Sequence, residues 1–210
     1  MTSPNHVIGL FPTPFMRIEA LLPPALVGAL VDRHGAAANQ QNSQSPLLSH
    51  TQMLAAESSP HFAEANRLIE PKLADFGELM FGERLKWSIK EMWVNVLQTG
   101  GHQSVHNHAN SFISGVIYLT PTHASANTVF MKGLGASQFV FNNANPNAQM
   151  GPFNADKWIA PAASPGDMVL FPSYLLHEVP VNQGGQRISL AFNAIPERLD
   201  SWGYSVRFAR

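Results

Sequence analysis

The sequence predicts a mainly β domain: a small antiparallel β-barrel or jelly roll backed by helices at its N-terminal side. Three observations carry this. Short apolar runs of strand length recur after residue 86, separated by Gly, Pro and Asn turns. The first of these runs alternates with the period of 2 that marks a half-buried strand. Before residue 86 the apolar spacing is helical, so helices come first and strands after them, rather than the two alternating.

In chain order, residues 6–18, HVIGLFPTPFMRI, mix apolar residues with Pro12 and Pro14, which fits an edge or irregular extended segment rather than a central strand. LPPALVGALVDRHG reads as a short helix with Pro24 in its first turn and Gly35 as the end cap. AAANQQNSQSPLLSH is polar and carries Pro46, so a loop is expected. SSPHFAEANRLIEPKLADFGELMFG opens with a Ser-Pro helix start. It places Phe62, Leu68, Ile69, Leu73, Phe76, Leu79 and Met80 at helical spacing, with Pro71 as a kink site. KWSIKEMWVNVLQ then alternates, with Trp87, Ile89, Glu91, Trp93, Asn95 and Leu97 on one side and Lys86, Ser88, Lys90, Met92, Val94 and Val96 on the other. FISGVIYLT, ASQFVF, DMVLFPS and RISLAFNAI are further strand candidates. Segment 131–158 is rich in Asn, Gly and Pro; a long loop at a barrel mouth serves as a lid or as ordinary surface, and both readings stay open.

Composition narrows the function. Among 210 residues, 45% are hydrophobic and 13% charged, enough for a packed core and too apolar for a disordered chain. A formal net charge of -1 gives no basic footprint for nucleic acid and no polybasic patch for a membrane. The apolar runs are far shorter than a membrane span, and the first residues lack the basic and long apolar regions of a signal peptide, so a cytoplasmic protein is expected. There is no cysteine, which leaves His, Asp and Glu as the available metal ligands.

The chemistry-bearing residues cluster in two places. GHQSVHNHANSFISGVIYLTP holds His102, His106 and His108 within seven positions. On an extended chain His106 and His108 share a face and aim two imidazoles at one point. Neutral imidazole suits Fe, Zn, Cu and Ni; alone, such a pair is as readily two solvated histidines. The second place, PGDMVLFPSYLLHEVPVNQGGQRISLAFN, contributes His177, and then Arg187 and Ser189 on one face of the last strand. A cation in the apolar run ISLAF is costly unless it meets an anion. That anion is either a ligand or a structural partner such as Glu178 or Asp167.

As a set, His106-x-His108, the distant His177 and Arg187-x-Ser189 resemble the iron(II)/2-oxoglutarate-dependent dioxygenase superfamily, and among its branches the small bacterial, marine and phage members. The likeness extends over most of residues 8–195, through LFPTPF, WVNV, HNHANSFISGVIYL and GDMVLFPSYLLHEVPVN…QRISLAFN. It implies a double-stranded β-helix, a distorted jelly roll of cupin-like form. The whole chain, 1–210, is then one domain: an extended segment and supporting helices over 1–85, the core over 86–196 and a C-terminal tail over 197–210. It further implies Fe(II) held by His106, His177 and His108, the last standing where the superfamily usually has Asp or Glu. His102 or Gln103 could replace one of the pair, but the spacing of His106 and His108 matches the motif, which leaves His102 at the pocket rim. Arg187 would clamp the distal carboxylate of the cosubstrate 2-oxoglutarate, with Ser189, Tyr118 and Asn95 contacting it. The implied reaction is oxygenation, most simply hydroxylation, of a small-molecule or peptide substrate, with release of succinate and CO2. No nucleic acid or membrane partner is expected, and monomer and homodimer both stay open.

Two rival readings remain at this level. A cupin-like metal protein, a dioxygenase or a non-redox enzyme, would need no 2-oxoglutarate and so no Arg187 with Ser189. A non-catalytic barrel would not need the intact set. Trp87, Trp93, Trp158 and Trp202 are expected in the core or a pocket wall, Gly100-Gly101 and Gly184-Gly185 in turns, and His34, His50, His61 and His123 carry no assigned role.

Overall fold

The computed structural model describes residues 9–42, 45–55, 58–133, 143 and 145–208. The strand candidate ASQFVF, residues 136–141, lies outside them. The chain runs through β1 (Met16–Ile18), α1 (Pro24–His34), β2 (Gln40–Gln41), β3 (Leu48–His50), α2 (Pro60–Phe81) and β4 (Trp87–Leu97). It continues with β5 (Gln103–His106), β6 (Ile113–Tyr118), β7 (Val129–Met131), β8 (Lys157–Ile159) and β9 (Met168–Pro172). β10 (Leu176–Val179), β11 (Arg187–Pro196), β12 (Arg198–Ser201) and β13 (Tyr204–Arg207) complete it. No helix among the described residues is long and apolar enough to cross a membrane.

The strands form a seven-stranded sheet, β1-β9-β6-β11-β4-β3-β2, and a four-stranded sheet, β5-β10-β7-β8, in which every pairing is antiparallel. Mainly β architecture with two sheets and N-terminal helices is the expected double-stranded β-helix. The large sheet has two apolar faces. One packs on the helices, with Ile69, Leu73 and Phe76 of α2 against Met92, Val94, Ile117, Leu190 and Phe192; each fully buried side chain of this size contributes about 1.5–3 kcal/mol. The other holds Tyr118, Val169 and Phe171 with Phe130 of the small sheet and encloses the functional cavity.

Both helices begin as their sequences predict. The Ser59 hydroxyl accepts from the Phe62 N–H at 3.2 Å, and Pro60 occupies the first turn of α2. The helix continues through Pro71 and ends at Gly82, whose φ of +70° is the left-handed cap that glycine permits. Leu79, expected on the apolar face, is exposed. Gly35 ends α1 differently: its backbone stays right-handed, and the glycine is needed because a Cβ would lie 2.8 Å from the Val31 carbonyl oxygen. β1 is an edge strand, as its flanking prolines suggested.

Four expectations change. First, the alternation of β4 is broken. Asn193 pairs with Glu91 and Ala194 with Ile89, so Lys90 is an extra residue, a β-bulge. A bulge reverses the facing of every later residue in the strand. Trp87 and Ile89 therefore share the helix-facing core with Met92, Val94 and Val96, while Trp93, Asn95 and Leu97 line the cavity. Second, the polar stretch expected as a loop contains β2 and β3. Their backbones pair with each other and with β4, and that tertiary pairing outweighs weak local propensity. Third, within the segment read as a C-terminal tail, β12 and β13 form a hairpin turning at Trp202-Gly203, where φ is +51° and +87°. Fourth, of the four tryptophans Trp87 and Trp93 are buried, but Trp202 is 98% exposed at that turn and Trp158 is about half exposed on β8.

Candidate metal centre

Residues paired across neighbouring strands face the same way, so the register of the large sheet lays out its cavity face in rows. Leu48, Leu97 and Arg187 form the first row, and His50, Asn95, Ser189 and Tyr118 the second. Trp93, Ala191 and Val116 form the third, and Glu91, Asn193 and Ser114 the fourth. Opposite them, in the small sheet, His106 on β5 is paired directly with His177 on β10. The sheets enclose a cavity of about 220 Å³ that meets His106, His108, His177, Arg187, Ser189, Asn95 and Trp93.

The three histidines converge. Each can direct one ring nitrogen so that the three ligand atoms lie within 4.8 Å of one another. Ring centroids are 4.2 Å apart for His106 and His177, and 5.1 Å for each pair containing His108. His108 sits beyond the end of β5, in the next loop, and reaches the group from there rather than as a strand neighbour of His106. Its backbone N–H donates to the Ser173 carbonyl at 2.9 Å, which fixes the loop.

Hydrogen bonds select the tautomers. Nδ1 of His106 lies 2.8 Å from the Ser104 carbonyl, and Nδ1 of His177 lies 2.9 Å from the Leu175 carbonyl. A carbonyl only accepts, so in both neutral rings Nδ1 carries the proton and Nε2 presents its lone pair. Burial drives all three pKa values down. His177 falls to about 3, by desolvation and then by the neighbouring His106. His108 falls to about 4, by desolvation and then His106 and Lys90. His106 is lowered by desolvation. The group is thus neutral at physiological pH, the state in which imidazole binds a metal. Three neutral nitrogen donors suit a divalent first-row transition metal and not Mg²⁺ or Ca²⁺; the residues fit iron.

Arg187 is 5% exposed. Its Nη1 donates weakly to the Ser189 hydroxyl at 3.4 Å, its Cζ lies 5.3 Å from the Tyr118 ring centroid, and its Nε has no hydrogen-bond partner among the described residues. Burial lowers its pKa, with the Tyr118 phenol as partial compensation. The structural partners the sequence offered are engaged elsewhere: Asp167 with Arg17 at 2.8 Å and Glu178 with Lys157 at 3.2 Å. A buried guanidinium facing a cavity with no carboxylate among its described lining residues can receive an anionic ligand.

The remaining expected site residues divide. Tyr118, Ser189 and Asn95 lie in one row beside Arg187, and Asn95 Oδ1 accepts from Trp93 Nε1 at 3.1 Å, leaving its amide hydrogens for other partners. His102 does not line the cavity, whereas Gln103 does. His50, which carries no role in the sequence reading, lines it because β3 adds a strand beside Asn95; its Nδ1 is 2.8 Å from the Thr51 carbonyl. No local signal in a polar stretch points to that pairing. His34 is buried against Phe62 in the helical layer, away from this cavity.

Comparison with known proteins agrees with this geometry. Residues 91–193 match the family model described as "Putative 2OG-Fe(II) oxygenase". No curated protein matches the sequence. Among solved structures, HygX from Streptomyces hygroscopicus, with nickel and 2-oxoglutarate bound, is 13% identical with a TM-score of 0.61, over 88% of this chain and 83% of that one. A 2OG-Fe(II) oxygenase family oxidoreductase from Burkholderia pseudomallei is 18% identical with a TM-score of 0.57, over 86% and 83%. A prolyl-4-hydroxylase from Pseudomonas putida is 16% identical with a TM-score of 0.57, over 86% and 92%. At such identities the structural likeness is one of fold, and it is the family match over residues 91–193, running through all three histidines and Arg187, that supports an iron(II)- and 2-oxoglutarate-dependent oxygenase.

Proposed function

We propose that this oxygenase holds Fe(II) on Nε2 of His106 and His177 and on His108, and 2-oxoglutarate on Arg187, and that it hydroxylates a small-molecule or peptide substrate. The observation that carries the assignment is the buried, acid-free Arg187 on the same cavity as three converging neutral imidazoles. When bound, the iron and 2-oxoglutarate supply the oxygen chemistry, and succinate and CO2 are released.

The chain's own work is orientation. Two of the imidazoles are held by backbone carbonyls in the tautomer that offers Nε2. Arg187 presents a planar pair of donors to the distal carboxylate, and Ser189 and Tyr118 lie beside it to accept or donate further hydrogen bonds. Asn95, fixed by Trp93, offers amide hydrogens from the same row. Apolar neighbours, Leu97, Val116, Val179 and Ala191, line the same cavity and keep water from competing for these groups. With His108 in place of a carboxylate, the ligand set itself carries no negative charge. The dianionic cosubstrate is then the principal counter-charge for the metal and Arg187, so metal and 2-oxoglutarate binding should reinforce each other.

The test is anaerobic. Fe(II) and 2-oxoglutarate together should give the visible charge-transfer band of a chelated 2-oxo acid, absent with either alone. Admission of oxygen should then release succinate. A protein that binds Fe(II) but never develops the band does not use 2-oxoglutarate in this way.

A further inference from the structure

Three motif residues with no assigned task, Ser114 of FISG, Ser173 of LFPS and Asn193 of LAFN, come together behind His108. All are buried polar groups, 1%, 0% and 2% exposed. Ser114 Oγ donates to Asn193 Oδ1 at 2.7 Å and lies 2.8 Å from Ser173 Oγ. Asn193 Nδ2 donates to Glu91 Oε1 at 2.8 Å. The Ser114 proton is committed to Asn193, so Ser173 must donate to Ser114. Donation therefore runs one way, Ser173 to Ser114 to Asn193 to the Glu91 carboxylate, and a chain ending on an anion polarises each bond in turn.

Ser173 is also the clasp of the loop that carries His108. Its backbone N–H donates to the Phe112 carbonyl at 3.0 Å, and its carbonyl accepts from the His108 N–H at 2.9 Å. One residue thus closes residues 108–112 from both sides. Lys90 adds a bond from Nζ to the Asn110 carbonyl at 3.3 Å. His106 and His177 are held in a strand ladder. His108, outside any strand, depends on this clasp for its position.

We propose that Ser173 is a positioning residue for the metal centre. Its side chain, anchored through Ser114 and Asn193 to Glu91, holds its backbone groups where they set the His108 loop, so that the third imidazole is pre-placed before metal arrives. This rests on the reading of His108 as a ligand.

The experiment uses Co(II) as the probe and Ser173→Ala as the variant, since it keeps the backbone bonds and removes only the anchor. Expected are about a tenfold rise in the Co(II) dissociation constant, at the lower end for residues that support ligands, and a weakened His108 contribution to the Co(II) ligand-field spectrum. Faster amide exchange should be confined to residues 107–112, with exchange at His177 unchanged. Unchanged affinity and exchange overturn the proposal. So does a uniform rise in exchange over the whole chain, which marks a merely structural hydroxyl. If Ser173→Ala does not fold, Glu91→Ala, at the partly exposed end of the chain, should move the same readouts in the same direction, and no movement counts against the proposal. His108→Ala is run in parallel: wild-type Co(II) affinity and spectrum there overturn the ligand assignment itself, whereas loss there with an unaffected Ser173→Ala overturns only the clasp.

Discussion

Replacing Arg187 with methionine should weaken 2-oxoglutarate binding and, at the same time, stabilise the ligand-free protein. The two effects have one cause. The guanidinium is 5% exposed, its Nε has no partner among the described residues, and its hydrogen bond to the Ser189 hydroxyl is 3.4 Å long. In the free protein it pays desolvation without a carboxylate to offset it, and methionine of similar length removes that cost. Replacing buried charge by apolar volume stabilises by about 1–4 kcal/mol, and at about 2–4 °C per kcal/mol for a chain of this size the melting temperature should rise by several degrees. In the complex the sign reverses, because the distal carboxylate of 2-oxoglutarate loses its partner beside the buried end of the cavity. Truncating one side of a buried, hydrogen-bonded charge pair costs about 2–5 kcal/mol, which is about a 30-fold to several-thousand-fold rise in Kd. Calorimetric titration of 2-oxoglutarate into the Ni(II)-loaded protein, beside thermal unfolding of the metal-free protein, measures both. An Arg187→Met protein with unchanged Kd would refute the reasoning, and one with a lowered melting temperature would show that the guanidinium is compensated in the fold.

The same geometry sets three further outcomes. His108→Ala should lose at least about tenfold in Fe(II) affinity while His102→Ala, off the cavity, keeps wild-type affinity, and His108→Asp should retain part of it; iron content and succinate release of the three variants decide, and loss in His102→Ala alone would reverse the assignment. The metal-free protein should lose stability as pH falls from about 6.5 towards 4, because His177, His108, His106 and His34 have folded pKa values below the unfolded value. In that window the unfolded chain binds the extra protons, so stability is complete above about pH 6.5 and declines below it; thermal melts across this range test the slope, and a flat profile contradicts it. Gly115→Ala should destabilise by about 1–3 kcal/mol or more, since its Cβ would fall 2.1 Å from the Phe192 ring; denaturant unfolding midpoints at or above wild type would show that the ring can move aside.

How much of this was legible in the sequence depends on whether a feature is local. The caps of α2, the strands β4, β6, β9 and β11, and the same-face pair Arg187 and Ser189 come from periods and turn residues that neighbouring positions carry. The short strands β2, β3, β5, β7, β8 and β10 do not, because two to four residues hold too little pattern and their pairing comes from the rest of the fold. His50 escapes a sequence reading for that reason. A continuous strand would place His108 with His106; the convergence holds, but the device is a clasped loop rather than a period of 2. Ser114, Ser173 and Asn193 are far apart in sequence and become one cluster only through the register of three strands and the loop after β9.

The bulge in β4 has a consequence for shortening the chain. Deleting a residue from a regular strand turns everything on one side of the cut to the wrong face. Removing Lys90 does not: Trp87, Ile89, Met92, Val94 and Val96 would then alternate without interruption and still face the helices, and Asn193 would still meet Glu91. A single-residue deletion scan across 87–97 should therefore find tolerance at the bulge and intolerance in the middle of each flanking half. What the Lys90 deletion gives up includes the Nζ bond to the Asn110 carbonyl and the ion pair with Glu91 at 3.4 Å, so the shortened strand would keep its fold and slacken the hold on the loop that carries His108.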